Sequence, residues 1–261
     1  LFSGATPVPI ALHEAAGFSF SAEEVLAKIT PATRLIIINS PANPTGGAVS
    51  RRELDRLAAG LERHPQVAIL SDEIYGEILY DGAEHISLLR YPKLAERVIL
   101  LDGWSKTYAM TGWRLGYGIW PKALLPHAER LAINCHSCVN AAAQYAGIAA
   151  LEGPRAPLAE MVAAFDERRK LITAGLNALP GVRCATPTGA FYAFPNIAGT
   201  GVDARTLENR LLEEAGVATI AGTSFGAFGK DYLRFSYAAD TAAIGEALAR
   251  IKSWLARNAR A

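Results

Sequence analysis

Several polar residues of this chain stand just past apolar runs, and their types suit one kind of chemistry. Asn43 lies in SPANPTGG after RLIIIN, Asp72 and Tyr75 lie in SDEIY after QVAIL, and Lys106 follows RVILLDGWS. Arg114 comes eight residues after the lysine, in SKTYAMTGWRLGY. Each has an ordinary explanation alone: Asn-Pro opens turns, a strand-end Asp often caps a helix, and a lysine is usually a solvated cation. In an open α/β sheet, however, ligands sit beyond the carboxyl ends of the strands. Three polar strand ends converging on one sheet edge therefore point to a site.

The groups match an aromatic nitrogen cofactor that carries an aldehyde and a phosphate, pyridoxal 5'-phosphate. The Lys106 amine condenses with an aldehyde to an imine that an incoming amine can exchange into. A carboxylate at Asp72, opposite the ring nitrogen, keeps that nitrogen protonated so that the ring withdraws electrons. The Tyr75 phenol and the Asn43 amide, near the ring oxygen, tune the imine's pKa downward. The planar fork of Arg114 suits a phosphate better than an ammonium does.

The surrounding sequence supplies elements to position them. RLIIIN (34 to 39) and QVAILSD (66 to 72) are near-continuous apolar runs, as expected of strands covered on both sheet faces. SRRELDRLAAGLERH between them has a helical stripe at Leu54, Leu57, Ala58 and Leu61, opened by a Ser50/Glu53 capping box. RVILLDG predicts a third strand and GYGIW a fourth, so the fold class is α/β, a mostly parallel sheet flanked by helices. From about residue 157 the texture changes: a long amphipathic helix, the hairpin-like PGVRCATPTGAFYAFPNI, a helix over 204–215, a Gly- and Ser-containing loop, the strand YLRFSYA and a helix over 241–257. That order predicts a large domain over 1–156 and a smaller α+β domain over 157–261.

At 261 residues the chain can bury a large core. A net charge of +1 gives no sign of a nucleic-acid or anionic-membrane partner. Three cysteines make no disulfide framework, and no apolar run is long enough to span a bilayer, so a cytoplasmic protein is expected. NCHSCVN spaces Cys135 and Cys138 like metal ligands, but only Cys184 remains to complete such a set, and helix packing is the expected role. The opening LFSGATPVPIAL reads as a turn leading into a strand.

SPANPTGG, SDEIYGEILYDG, SKTYAMTGWRLGY and YLRFSYA occur in the order and spacing of the class I/II, fold-type I aminotransferases, and the chain resembles their aspartate and aromatic aminotransferase branch. The resemblance implies a Schiff-base and proton-shuttling role for Lys106, pairing of Asp72 with the pyridine nitrogen, contacts of Tyr75 and Asn43 to the ring hydroxyl, and a phosphate contact for Arg114. It also implies that Arg234, in YLRFSYA, clamps the substrate α-carboxylate; on its residues alone Arg234 equally fits a partly exposed strand arginine. A cis Asn43–Pro44 bond, a homodimer and a ping-pong transfer of an amino group from an amino acid to a 2-oxo acid are further implications. Trp113, Phe191 and Tyr192 are expected in core or pocket wall. One departure is visible, Gly103 standing where many relatives have a phosphate-binding serine; an N-terminal truncation is also expected, because relatives carry a segment before GATPVPI. A β-lyase acting on sulfur amino acids and the effector domain of a transcription regulator are the alternatives.

Overall fold

The computed structural model describes residues 4–258. They form two compact units, and the chain crosses between them more than once. Among the described residues the first comprises 4–41, 49–77 and 84–158; the second comprises 42–48, 78–83 and 159–258.

The first unit is built on a sheet of order β1-β2-β3-β4, with β1 (Leu35–Asn39), β2 (Ala68–Asp72) and β3 (Val98–Gly103) parallel and β4 (Gly116–Ile119) antiparallel to β3. In register, Asn39 stands beside Asp72 and Asp72 beside Leu101, so the carboxyl ends of all three parallel strands emerge at one edge. Two short helices follow in the chain, α1 (Ala22–Ala27) before β1 and α2 (Arg51–Leu61) after it. The predicted stripe of α2 is the one that packs: Leu54, Leu57, Ala58 and Leu61 are buried in one cluster with Ile38, Ile69 and Val98.

The capping box at the start of α2 is only half formed. Ser50 Oγ accepts the Glu53 N–H at 3.3 Å, but the Glu53 carboxylate accepts from Ala22 N at 2.7 Å instead of turning back to Ser50. It thereby ties α2 to the first turn of α1. A second expectation fails on β1, whose apolar run predicted cover on both faces. Ile37 is 68% exposed, because no layer lies over that face among the described residues. An apolar run carries no information on what covers either face. The opening strand is also absent: residues 4–13 carry no strand, and Leu1–Ser3 of that reading lie outside the described residues.

Beyond β3 come the one-turn helices α3 (Pro92–Ala95, just before it) and α4 (Trp104–Thr107, just after it), then α5 (Leu125–His136) and α6 (Ala141–Glu152). Trp113, expected in a core or pocket wall, is 51% exposed. Cys135 and Cys138 are exposed free thiols, Cys184 is buried, and no metal-holding cluster occurs among the described residues.

In the second unit the small sheet β5 (Tyr192–Ala193), β7 (Leu233–Ser236) and β6 (Ile220–Ala221), in that order and antiparallel, is accompanied by α7 (Ala156–Asn177), α8 (Ala204–Ala215) and α9 (Thr241–Asn258). Leu176, Leu207, Leu211, Leu233, Ile251 and Leu255 face one another in its core. The hairpin expected over 180–197 is reduced to an isolated Arg183–Asn196 bridge, and β5 pairs with β7. Segments 42–48 and 78–83 join this unit through its 187–190 loop. Gly46 O accepts the N–H groups of Thr188 and Gly189 at 2.9 Å each, and Leu79 bridges Gly189. Gly46 has φ +68°, and a side chain there would meet the Tyr192 carbonyl, so glycine is required on both counts.

The fully buried Arg169 of α7 locks segment 78–83 in place. Its guanidinium forks onto Asp81 at 2.8 and 2.9 Å, reaches Asp166 Oδ1 from Nε at 2.8 Å and the Pro187 carbonyl at 2.9 Å, and stacks 4.5 Å from the Tyr80 ring centre. The Tyr80 hydroxyl donates to the Ala190 carbonyl. No described helix is long and apolar enough to cross a membrane.

Candidate active site

In the first unit the site residues gather where β2 and β3 end. Asp72 is the last residue of β2, half-buried, and its main-chain carbonyl accepts the Asn39 amide at 3.2 Å. Its Oδ1 accepts the Ile74 N–H at 3.3 Å, the Glu73 N–H reaches Leu101 O at 2.9 Å, and the Gly76 N–H closes the turn on Glu73 O at 2.7 Å. This turn carries the buried Tyr75. Burial raises the Asp72 carboxyl above the ordinary aspartate value; the Ile74 N–H opposes that rise and the Glu73 charge adds to it.

Lys106 sits on the one-turn helix α4, reached directly from β3, so the amine leaves the strand end on a helical turn and not on the strand itself. Because β2 and β3 run parallel, their ends share an edge, and Lys106 Nζ stands 5.9 Å from the Tyr75 ring centre. Asp72, Tyr75 and Lys106 are thus brought to one sheet edge. Arg114 belongs to the same unit and is exposed, in a left-handed conformation (φ 53°, ψ 46°), with Nη1 donating to Thr111 O at 2.9 Å.

Gly103 is explained by packing. A β-carbon there would stand 2.8 Å from both Gly116 Cα and Leu115 O, main-chain atoms that cannot swing aside. The two glycines pair in register between β3 and β4, so a serine hydroxyl has no room at this position. Just before it, Asp102 accepts the Gly103 N–H at 2.6 Å and the Tyr117 hydroxyl at 3.1 Å. Burial, with the Asp102 charge beside it, pushes the Tyr117 phenol up to about 12.

One buried carboxylate here was not singled out from the sequence. Glu73 points away from Asp72, as strand alternation requires. It accepts from Ser71 Oγ (2.9 Å), Ser87 Oγ (3.1 Å), Leu88 N (3.2 Å) and His85 Nε2 (2.7 Å). Burial alone would lift its carboxyl; the hydrogen bond and charge of His85, with the two serine hydroxyls, outweigh burial and hold it below the ordinary glutamate value.

The second unit carries Asn43 and Arg234, which are 191 residues apart in the chain. Arg234 Nη1 donates to Asn43 Oδ1 at 2.9 Å. The guanidinium lies between two rings, 4.9 Å from the centre of Tyr192 and 5.2 Å from that of Phe225, while its Nε is buried with no hydrogen-bond partner. Asn43–Pro44 is cis, as is Ser40–Pro41. Tyr192 is the buried wall residue expected from the sequence. Phe225 was not anticipated, because nothing local in GTSFG distinguishes a ring that faces an arginine from one that faces water.

The aminotransferase class I and II family model matches residues 2–251. The aspartate aminotransferase of Rhizobium meliloti is 38% identical over 258 residues, 95% of this chain and 62% of that protein. The aspartate/prephenate aminotransferase of Cereibacter sphaeroides is 39% identical over 267 residues, 98% of this chain and 66% of that protein. Among solved structures, the aromatic aminotransferase from Pyrococcus horikoshii OT3 superposes with a TM-score of 0.94 at 35% identity, covering 98% of this chain and 69% of that one. With an α/β fold of mostly parallel strands and this match, the chain belongs to the class I and II aminotransferases. It spans 62% and 66% of the length of the two curated relatives.

Proposed function

We propose that this chain is the greater part of a pyridoxal 5'-phosphate-dependent aminotransferase that moves an amino group from an L-amino acid to a 2-oxo acid by a ping-pong route. The observation that carries the reading is the gathering of an amine, a phenol and a carboxylate at the joint carboxyl edge of β2 and β3, with Lys106 Nζ 5.9 Å from the Tyr75 ring centre. The donors gathered in the first unit suit the cofactor: Lys106 its aldehyde, Asp72 its ring nitrogen, Tyr75 its ring hydroxyl and Arg114 its phosphate; Asn43, for the same hydroxyl, is assigned by the family resemblance alone. When bound, the group supplies an electron-withdrawing ring that makes the substrate Cα–H acidic.

The chain's own residues do the rest. Lys106 Nζ takes the proton from the substrate Cα. Asp72 opposes a positive ring nitrogen with its carboxylate, and Tyr75 donates its phenolic proton to an anionic oxygen. Arg234 holds the α-carboxylate, and its plane is set by Tyr192 and Phe225. Relatives named for aspartate, prephenate and aromatic amino acids support an L-amino acid as the substrate class. The same reading takes 1–156 as the remainder of the large cofactor-binding domain and 157–261 as the small domain, in a cytoplasmic homodimer.

The test is direct. Protein incubated with pyridoxal 5'-phosphate, reduced with borohydride and digested is expected to yield one modified peptide, labelled at Lys106, and Lys106→Ala is expected to yield none. Labelling elsewhere, or equal labelling of Lys106→Ala, overturns the assignment. Transfer to an added 2-oxo acid without release of ammonia separates it from a β-lyase.

A further inference from the structure

The Glu73 carboxylate takes no part in the chemistry just described, yet it is buried two residues from Tyr75 and next to Asp72. Its Oε1 takes three donors, Ser71 Oγ, Ser87 Oγ and Leu88 N, and its Oε2 takes His85 Nε2. All but Ser71 come from the stretch that resumes the first unit at residue 84, after segment 78–83. The main chain of the 72–76 turn is also held by Ser40 N and the Asn39 amide on Asp72 O, Glu73 N on Leu101 O, Gly76 N on Glu73 O and Ile74 N on Asp72 Oδ1. His85 also lies against the turn, since a β-carbon at Gly76 would stand 3.0 Å from His85 Cδ2. The remaining titratable groups that feel the Glu73 charge are Asp72, Asp102 and Tyr117, from β2, β3 and β4.

We propose that Glu73 and His85 are positioning residues, a buried carboxylate–imidazole pair that fixes the 72–76 turn and so aims the Asp72 carboxylate and the Tyr75 phenol; what those two groups hold rests on the cofactor reading above. The reasoning is geometric. Alternation sends Asp72 and Glu73 to opposite sides of one strand end, so holding Glu73 on the inner side fixes the direction of Asp72 on the outer side. A buried carboxylate stripped of a donor cannot stay where it is without cost. Loss of His85 therefore moves the turn, not only the pair.

The experiment compares wild type, His85→Ala, His85→Gln and Glu73→Gln by amide hydrogen exchange without cofactor, and by absorbance titration with pyridoxal 5'-phosphate added. In His85→Ala and Glu73→Gln the Ile74 and Gly76 amides are expected to exchange about tenfold faster, while the Ala68 and Ile69 amides at the start of β2, bonded to Arg34 O and Arg97 O, stay unchanged. The absorption band of the bound cofactor is expected to shift its pH midpoint by about half a unit or more. His85→Gln, which keeps a side-chain N–H, is expected to restore much of both. Unchanged exchange at Ile74 and Gly76, acceleration spread evenly over the sheet, or a cofactor midpoint equal to wild type overturns the proposal. If wild type fixes no cofactor on Lys106 but the local acceleration is seen, the cofactor reading falls and the pinning of the turn stands.

Discussion

Arg234 shows how much of a residue's role lies in what surrounds it. A guanidinium between two rings, with one Nη committed to Asn43, has lost most of its freedom before any ligand arrives. A carboxylate that meets it therefore forgoes little further ordering. Arg234→Leu is expected to raise the half-saturating amino-acid concentration by about 30- to 100-fold, roughly 2–3 kcal/mol for a lost charge-assisted pair, with little change in cofactor affinity. Steady-state kinetics beside a cofactor titration check this; an unchanged half-saturation removes Arg234 from substrate binding. From the sequence, the gathering of Lys106, Asp72 and Tyr75 at one sheet edge could be read because each stands at or shortly after the end of an apolar run whose strand direction is itself legible. Phe225 and His85 could not, since their significance lies in contacts made across the fold with residues that local pattern does not pair.

Among elements, the four strands of the first sheet and the helices α2, α7, α8 and α9 were legible, whereas α1, α3 and α6 were not singled out. The stripe and Ser50 cap place α2, and Asp203 caps α8, whose Ala204–Ala215 span is the predicted one, with Gly216 left-handed at its end. What failed was everything decided by neighbours: Glu53 leaves its own cap for Ala22, β1 has an open face, and the expected hairpin becomes a single bridge. The β3–β4 pair yields a sharp prediction. Gly103→Ala is expected to lower stability by about 1–3 kcal/mol, because the added methyl meets main chain at Gly116 and Leu115. Gly112→Ala, which would meet nothing within 4 Å and has no positive φ, is the control expected to change little. Thermal unfolding of the two side by side decides the point, and equal midpoints would show that the strands yield freely.

At the scale of the whole chain, the two units are not successive stretches of sequence. Residues 42–48 and 78–83 lie early in the chain but belong with residues 159–258. Composition could mark a change of texture near residue 157, but no local pattern announces that two short early segments pack with the late ones. The hold on 78–83 depends on Arg169, so Arg169→Met is expected to destabilise by about 2–3 kcal/mol, through loss of charge-assisted bonds to Asp81, Asp166 and the Pro187 carbonyl. A tryptophan signal from Trp254, buried in the second unit, should report the lowered denaturant midpoint. An unchanged midpoint would mean that the 187–190 loop alone retains segment 78–83.

This interleaving bears on any attempt to divide the gene. A cut between codons 158 and 159 would not release two self-sufficient pieces. The downstream product would lack the strips that border β5 and the 187–190 loop, and the upstream one would carry those strips with nothing to lie against. Expressed apart, each half should be poorly soluble; expressed together, they should recover one another, because the upstream half holds part of the downstream one's interior.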